Sequence, residues 1–310
     1  MSHIRQTAGS AAFLLLAALS LRALQRQGEF TFSDKVNLVL LDVSVQSAHS
    51  SYVTDLQRSD FKVFEDGNLR PITHFGNVDT PVTLGLVVDN SASMRSKRSE
   101  VLQSGLAFAR ESNPRDEFFV VNFNNSVVPG LPPQLPFTDS LAILQRALYY
   151  GAPTGQTALY DAISYALRHL EKAHHEQRTL IVVSDGGDNV SKIALPDLLN
   201  QIAMSRATIY TIGLVDPENR DLKPGILRKL SAASGGTYYQ PRELEDVPVA
   251  FAQISQDIRH RYTLGFTPDE EHDKRTVRSV KVVAERTGEH LRCKSRPTFR
   301  IPSPSATGNI

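Results

Sequence analysis

Leu84-Gly85-Leu86-Val87-Val88-Asp89-Asn90-Ser91-Ala92-Ser93-Met94 decides how the rest of the chain is read. Leu84, Leu86, Val87 and Val88 make a short apolar run without alternation, the pattern of a parallel strand covered on both faces. The run ends in Asp-x-Ser-x-Ser, and the carboxyl end of such a strand is where open α/β sheets bind ligands. One carboxylate and two hydroxyls on alternate residues of a tight loop can point at one small, hard cation. An oxygen-only donor set of low charge suits Mg²⁺, Mn²⁺ or Ca²⁺ rather than zinc.

Two later segments extend this pattern. Gly155-Gln156-Thr157-Ala158-Leu159-Tyr160-Asp161 puts a threonine hydroxyl at the start of a strongly helical stretch. Leu180-Ile181-Val182-Val183-Ser184-Asp185-Gly186-Gly187 is a second buried-strand run that ends in an aspartate and a glycine turn. Strand-Asp-x-Ser-x-Ser, then loop-Thr-helix, then strand-Ser-Asp-Gly, in that order, resembles the von Willebrand factor type A domain. The resemblance implies an adhesion-type metal site formed by Asp89, Ser91, Ser93, Thr157 and Asp185. It implies serine hydroxyls bound directly to Mg²⁺ (or Mn²⁺ or Ca²⁺), with the threonine and the aspartates bound directly or through water. It further implies an open coordination position for a Glu or Asp carboxylate of a protein partner.

Composition removes several alternatives. The chain has 310 residues, 41% hydrophobic, and 34 basic against 33 acidic side chains. That length allows one to three domains, and the charge balance points to neither nucleic acid nor an anionic membrane surface. Phosphate-binding glycine loops and basic runs interleaved with aromatics are missing from the sequence. The single cysteine, Cys293, rules out an intrachain disulfide and reads as a small apolar residue of a strand.

His3 and Arg5 precede the apolar run Ala11–Leu19, and Ala18-Leu19-Ser20 offers a small-x-small cleavage site. This is the layout of a secretory signal peptide over residues 1–23, so the chain is expected to be exported, periplasmic or extracellular. Arg22 interrupts the apolar run short of the roughly 20 residues that span a bilayer. An uncleaved leader would instead tether the protein to the membrane by its N-terminus.

Three regions follow the leader. Residues 30–78 read as β, with Val36, Leu38, Leu40, Val43 and Val45, then Phe61, Val63 and Phe64 before the hairpin signal Glu65-Asp66-Gly67-Asn68. Residues 81–258 alternate strand and helix, which argues a doubly wound, mostly parallel α/β sheet with the metal loops at its carboxyl edge. Within that stretch, Leu141, Leu144 and Leu148 form a helical stripe. Leu159, Ile163, Leu167 and Leu170 line a helix expected to begin at Thr157, and Val247 to Ile258 reads as a packing helix. Residues 259–301 return to β, with Tyr262, Leu264 and Phe266 alternating, then Val277, Val280 and Val282-Val283, and a third strand around Leu291 and Cys293. Residues 302–310 are rich in Pro, Ser and Gly and read as a disordered tail.

Each β flank alone has too few strands to cover an apolar face, so the two are expected to pair as one β-sandwich with the α/β domain inserted between its halves. Asp60-Phe61-Lys62-Val63-Phe64-Glu65-Asp66-Gly67 and Tyr262-Thr263-Leu264-Gly265-Phe266 resemble a bacterial group of exported proteins related to the same domain.

The expected function is protein–protein binding dependent on a divalent cation, and the chain is not expected to be an enzyme. A structural scaffold whose metal site serves loop stability is the alternative. A metal-assisted hydrolase using Asp89 and Asp185 lacks a recognisable general base, since none of the nine histidines falls in a segment beside the metal loops.

Overall fold

The apolar runs pair into three sheets in a computed structural model that describes residues 38–77, 79–214, 224–269 and 276–301. The expected leader at 1–23, the start of the first β region and the tail at 302–310 lie outside these residues. Strands β1 (Val39–Gln46), β2 (Phe61–Glu65), β3 (Asn68–Arg70) and β4 (Ile72–Gly76) come first. Next come β5 (Val82–Asp89), helix α1 (Arg98–Glu111), β6 (Glu117–Phe123), β7 (Val127–Pro129), α2 (Leu141–Leu148) and α3 (Leu159–His169). They lead to β8 (Gln177–Ser184), α4 (Leu195–Met204), β9 (Thr208–Gly213), α5 (Pro224–Ser234), β10 (Tyr238–Tyr239) and α6 (Val247–Arg259). Strands β11 (Arg261–Phe266), β12 (Val277–Ala284), β13 (Arg292–Lys294) and β14 (Thr298–Arg300) complete the described chain.

The central sheet has six strands in the order β10-β9-β8-β5-β6-β7. Every pair is parallel except β6 with β7. All eight residues of β5 are buried, as its unbroken apolar run requires of a strand covered on both faces. Gly85 is part of that packing: a Cβ there would lie 2.4 Å from the Phe119 ring and 2.5 Å from Leu180. Helices α1, α2 and α6 pack together, as do α3, α4 and α5. The expected doubly wound α/β fold is therefore present.

The flanks pair with each other. One antiparallel sheet has the order β13-β1-β11-β4 and the other β14-β12-β2-β3, so each draws strands from both sides of the α/β insertion. Val43 lies opposite Tyr262, and Val63 opposite Val282. The sheets share one core, with Leu41, Val43, Leu264 and Phe266 from the first and Val63, Val280, Val282 and Phe299 from the second. The β2–β3 turn has positive φ at Asp66 (47°) and Gly67 (86°), the two-residue geometry that the Asp-Gly signal demands.

Three expectations change in detail. Helix α3 starts at Leu159, not at Thr157, because Asn189 holds the Thr157 backbone in the loop and Asp188 caps the first turn at Tyr160. Leu141 is exposed, outside the buried stripe of Leu144 and Leu148. In β12 the inward face is Arg278, Val280, Val282 and Ala284, which leaves Val277 exposed. Arg278 enters a core because it meets the buried carboxylate of Glu65 at 2.5 Å. Cys293 is half-buried against the sandwich core, where burial pushes its thiol up to about 11.

Candidate metal site

Strand β5 delivers Asp89 to the carboxyl edge of the sheet, where it is fully buried. One carboxylate oxygen, Oδ1, accepts the backbone N–H of Ser91 at 2.8 Å. The other, Oδ2, accepts the hydroxyl of Ser184 at 2.7 Å, from the end of neighbouring β8. Asp89 thus folds its own loop back and staples it to the next strand. The Ser91 and Ser93 hydroxyls stand 3.1 Å apart, Ser91 buried and Ser93 exposed. Met94 is fully buried and anchors the loop from below.

Asp185 follows Ser184 directly and is buried beside it. The turn beyond it needs Gly186 at φ +88°, and its backbone is held by Gly186 N–H to Ser184 Oγ (3.1 Å) and Gly187 N–H to Asp185 Oδ1 (3.2 Å). A Cβ on Gly187 would sit 3.4 Å from Asp185 Oδ1 and 4.0 Å from Thr157 Oγ1. The bare glycine therefore leaves a gap between the aspartate and the threonine hydroxyl.

Thr157 reaches this place on a loop tied to both neighbours. Ala92 N–H donates to Gly155 O at 3.1 Å and Thr154 N–H to Asn90 O at 2.8 Å, which joins it to the Ser91 loop. Thr157 N–H donates to Asn189 Oδ1 at 2.9 Å, and Asn189 N–H returns to Thr157 O at 3.0 Å, which joins it to the Asp185 loop. Asn125, just past β6, accepts Gln156 N–H at 2.7 Å. All five residues singled out from the sequence thus lie on three interlocked loops at one edge of the sheet.

Burial pushes the Asp89 carboxyl up to about 6, against the hydrogen bonds from Ser184 and Ser91 and helped by the nearby charge of Asp185. A carboxylate that is this costly to ionise alone gains from a cation beside it. Among the described residues no group of three or more His, Cys, Asp or Glu side chains could hold a metal. The donors gathered here are two carboxylates and three hydroxyls, which fit a hard divalent cation and not a soft one.

Sequence reasoning missed the residues that hold the loops. Ser184 reads only as the end of an apolar run, yet it holds Asp89. Asp188 and Asn189 read as turn residues after Gly186-Gly187, with a place lining the binding face as the alternative. In the fold, Asp188 Oδ1 accepts the Tyr160 N–H at 3.1 Å and the Ser191 hydroxyl at 2.5 Å, capping α3 from another loop. Among the described residues, four histidine rings make their hydrogen bonds elsewhere: His169 with Pro136 O, His174 with Glu117, His175 with Arg115 O and His260 with Gln256 O.

Residues 84–187 match the family model described as von Willebrand factor type A domain. Among solved structures, the fold is similar to a von Willebrand factor type A protein from Catenulispora acidiphila. That match has 14% identity and a TM-score of 0.53 over 85% of this chain and 72% of that one. The vWF domain of the type V pili tip protein Mfa5 from Porphyromonas gingivalis matches at 14% identity, covering 58% and 96% of the chains, with a TM-score of 0.48. An aerotolerance-related membrane protein from Bacteroides fragilis matches at 16% identity, covering 57% and 98%, with a TM-score of 0.46. No curated protein matches the chain.

Proposed function

We propose that the chain, whose residues 84–187 match the von Willebrand factor type A domain model, is an exported interaction protein that binds a partner's Glu or Asp carboxylate through a divalent cation at Asp89, Ser91, Ser93, Thr157 and Asp185. The observation that carries this reading is the convergence of the five residues on three interlocked loops, with a buried floor and an exposed rim at Ser93. Mg²⁺, Mn²⁺ or Ca²⁺ bound there would supply an electrophilic coordination position open to an incoming oxygen.

The chain's own residues prepare that position. Asp89 supplies charge from below and fixes the Ser91 backbone. Ser91 and Ser93 present neutral oxygens, so the site carries few fixed negative charges and leaves a cation attractive to another carboxylate. Thr157 and Asp185 face each other across Gly187 on the opposite side. Domains of this family generally mediate protein–protein interactions, which agrees with a site that presents hydroxyls at the surface. Export rests on the signal-peptide pattern expected over residues 1–23. Among the described residues no helix is long and apolar enough to cross a membrane.

Calorimetric titration with Mg²⁺ and Mn²⁺ tests the reading. The expected result is binding by the unmodified chain that disappears in Asp89→Ala and in the Ser91→Ala, Ser93→Ala double variant. Binding that survives in both variants would move the cation elsewhere. A chelator that lowers the melting temperature while partner binding stays unchanged would reduce the site to a structural one.

A further inference from the structure

Two tyrosines lie exposed at the start of the loop that ends in Thr157. Tyr149 and Tyr150 follow α2 and are 43% and 60% exposed, although both are large and partly apolar. Their backbone is not loose. Arg98, at the start of α1, donates from Nη2 to Gly151 O at 2.9 Å and to Tyr150 O at 3.4 Å, and from Nε to Asn90 Oδ1 at 2.9 Å. Asn90 Nδ2 adds a 3.5 Å bond to Tyr150 O and a 3.1 Å bond to Asn122 Oδ1. Gly151, at φ +82°, completes the bend. Asn90 is the residue between Asp89 and Ser91, so the tyrosine pair is fastened directly to the metal loop.

Charge around this face favours one kind of visitor. Among the described residues of these loops, Arg95, Lys97, Arg98 and Lys192 are cationic. The acids are Asp89 and Asp185 at the candidate cation site, Asp188, which caps α3, Asp161, which accepts the Lys192 and Ile193 backbone N–H groups, and Glu100 in the first turn of α1. With a divalent ion in place the face is positive, and positive faces steer acidic partners. A tyrosine ring has few rotatable bonds, so on a held backbone it loses little conformational freedom on binding, which is why tyrosine serves well at interfaces.

We propose that Tyr149 and Tyr150 form an exposed aromatic platform on a fixed backbone that selects, within an acidic partner segment, an apolar or aromatic side chain next to the carboxylate. This rests on the carboxylate-binding role proposed above and adds a second contact to it. The carboxylate docks at Ser91 and Ser93, and the neighbouring side chain lies on the tyrosine rings.

The probes are two short peptides, Ac-Gly-Phe-Asp-Gly-NH2 and Ac-Gly-Ser-Asp-Gly-NH2, titrated by NMR into the ¹⁵N-labelled full chain with Mg²⁺ and again with EDTA. The Phe peptide is expected to bind roughly tenfold tighter than the Ser peptide, the scale of one aromatic contact. It should also shift the Tyr149 to Gly151 amide signals, which the Ser peptide should leave in place. In Tyr149→Ser, Tyr150→Ser the two peptides should bind alike, at the strength of the Ser peptide on the unmodified chain; that retained binding reports an intact fold. Tyr149→Phe, Tyr150→Phe should keep the preference. Equal binding of both peptides to the unmodified chain overturns the platform and leaves the metal reading standing. Binding of neither peptide in Mg²⁺ overturns both. A preference for the Phe peptide that persists in EDTA supports the platform and overturns the metal reading.

Discussion

Asp257 and Arg261 form a buried ion pair across the joint between helix α6 and strand β11, with Asp257 Oδ2 3.1 Å from Arg261 Nη2. Tyr210 of β9 donates its hydroxyl to the same carboxylate oxygen and accepts from the same guanidinium. Arg261 Nη1 also reaches the Thr208 hydroxyl at 2.9 Å, and the Tyr52 hydroxyl donates to Asp257 Oδ1 at 3.2 Å. One polar knot therefore joins the α/β sheet, its last helix and the sandwich.

Asp257→Ala would leave the Arg261 guanidinium buried with its main counter-charge gone. Removing one partner of a buried pair costs about 3–5 kcal/mol. Urea unfolding of the variant should show a correspondingly lower midpoint with little change in slope. An unchanged midpoint would mean that solvent reaches the knot.

Acid should weaken the same knot at very low pH. Burial by itself would raise the Asp257 carboxyl, but the charges of Arg261 and Lys294 and the Tyr210 hydroxyl outweigh it and hold it at about 2. A depressed carboxyl contributes stability that is complete above its unfolded value near 4 and lost as pH falls through 2. The amount is about 2 kcal/mol. Unfolding curves between pH 4 and 2 should show this loss, and Asp257→Asn should flatten that part of the profile.

Asp89 acts in the opposite direction. Its carboxyl is raised by burial to about 6, so the folded chain binds a proton that the unfolded chain has released. Without metal, stability should fall by about 3 kcal/mol as pH rises from 4 to 6. Asp89→Asn should remove that slope. Saturating Mg²⁺ should do the same from the other side, because a cation at this carboxylate competes with the proton. Metal affinity should then drop as pH falls below 6, a trend that calorimetry at pH 5 and pH 7 would check.

Gly155 is held at φ +79°, and a Cβ there would fall 1.8 Å from Asn125 Oδ1. Gly155→Ala must both strain the backbone and push Asn125 off the Gln156 N–H. The strain alone costs about 1–2 kcal/mol. The larger consequence should be in the site, since the displaced loop carries Thr157. Metal affinity in this variant should fall more than stability does, as calorimetry and thermal melts together would reveal.

Asp188→Ala should uncap α3. Loss of a capping carboxylate costs about 1 kcal/mol, and here it also frees the Ser191 hydroxyl. A melting temperature equal to that of the unmodified chain would show that water replaces the cap without loss.

Much of the fold was legible in residue order because it rests on local patterns. The unbroken apolar runs of β5 and β8 identify strands covered on both faces, and the alternation of Tyr262, Leu264 and Phe266 identifies a strand of a two-layer sandwich. Asp66-Gly67 names its own turn through the positive φ that those residues tolerate. The five candidate donors were legible for the same reason, each lying at a strand end or loop with its chemistry written beside it.

Arg278 was not legible, because its place in a core depends on Glu65, a partner from the other side of the inserted domain. Nor was the role of Asp188, whose helix lies on a separate segment of the chain.

By itself, then, the sequence determined which segments are strands and helices and which oxygens are offered at the sheet edge, since backbone preference and hydrophobic period act over a few residues. Only the tertiary structure decided that β1 pairs with β11, that Asp257 holds Arg261, and that Ser184 and Asn189 position Asp89 and Thr157. Those contacts join residues far apart in the chain, and their strength comes from burial that exists only once the sheets have closed.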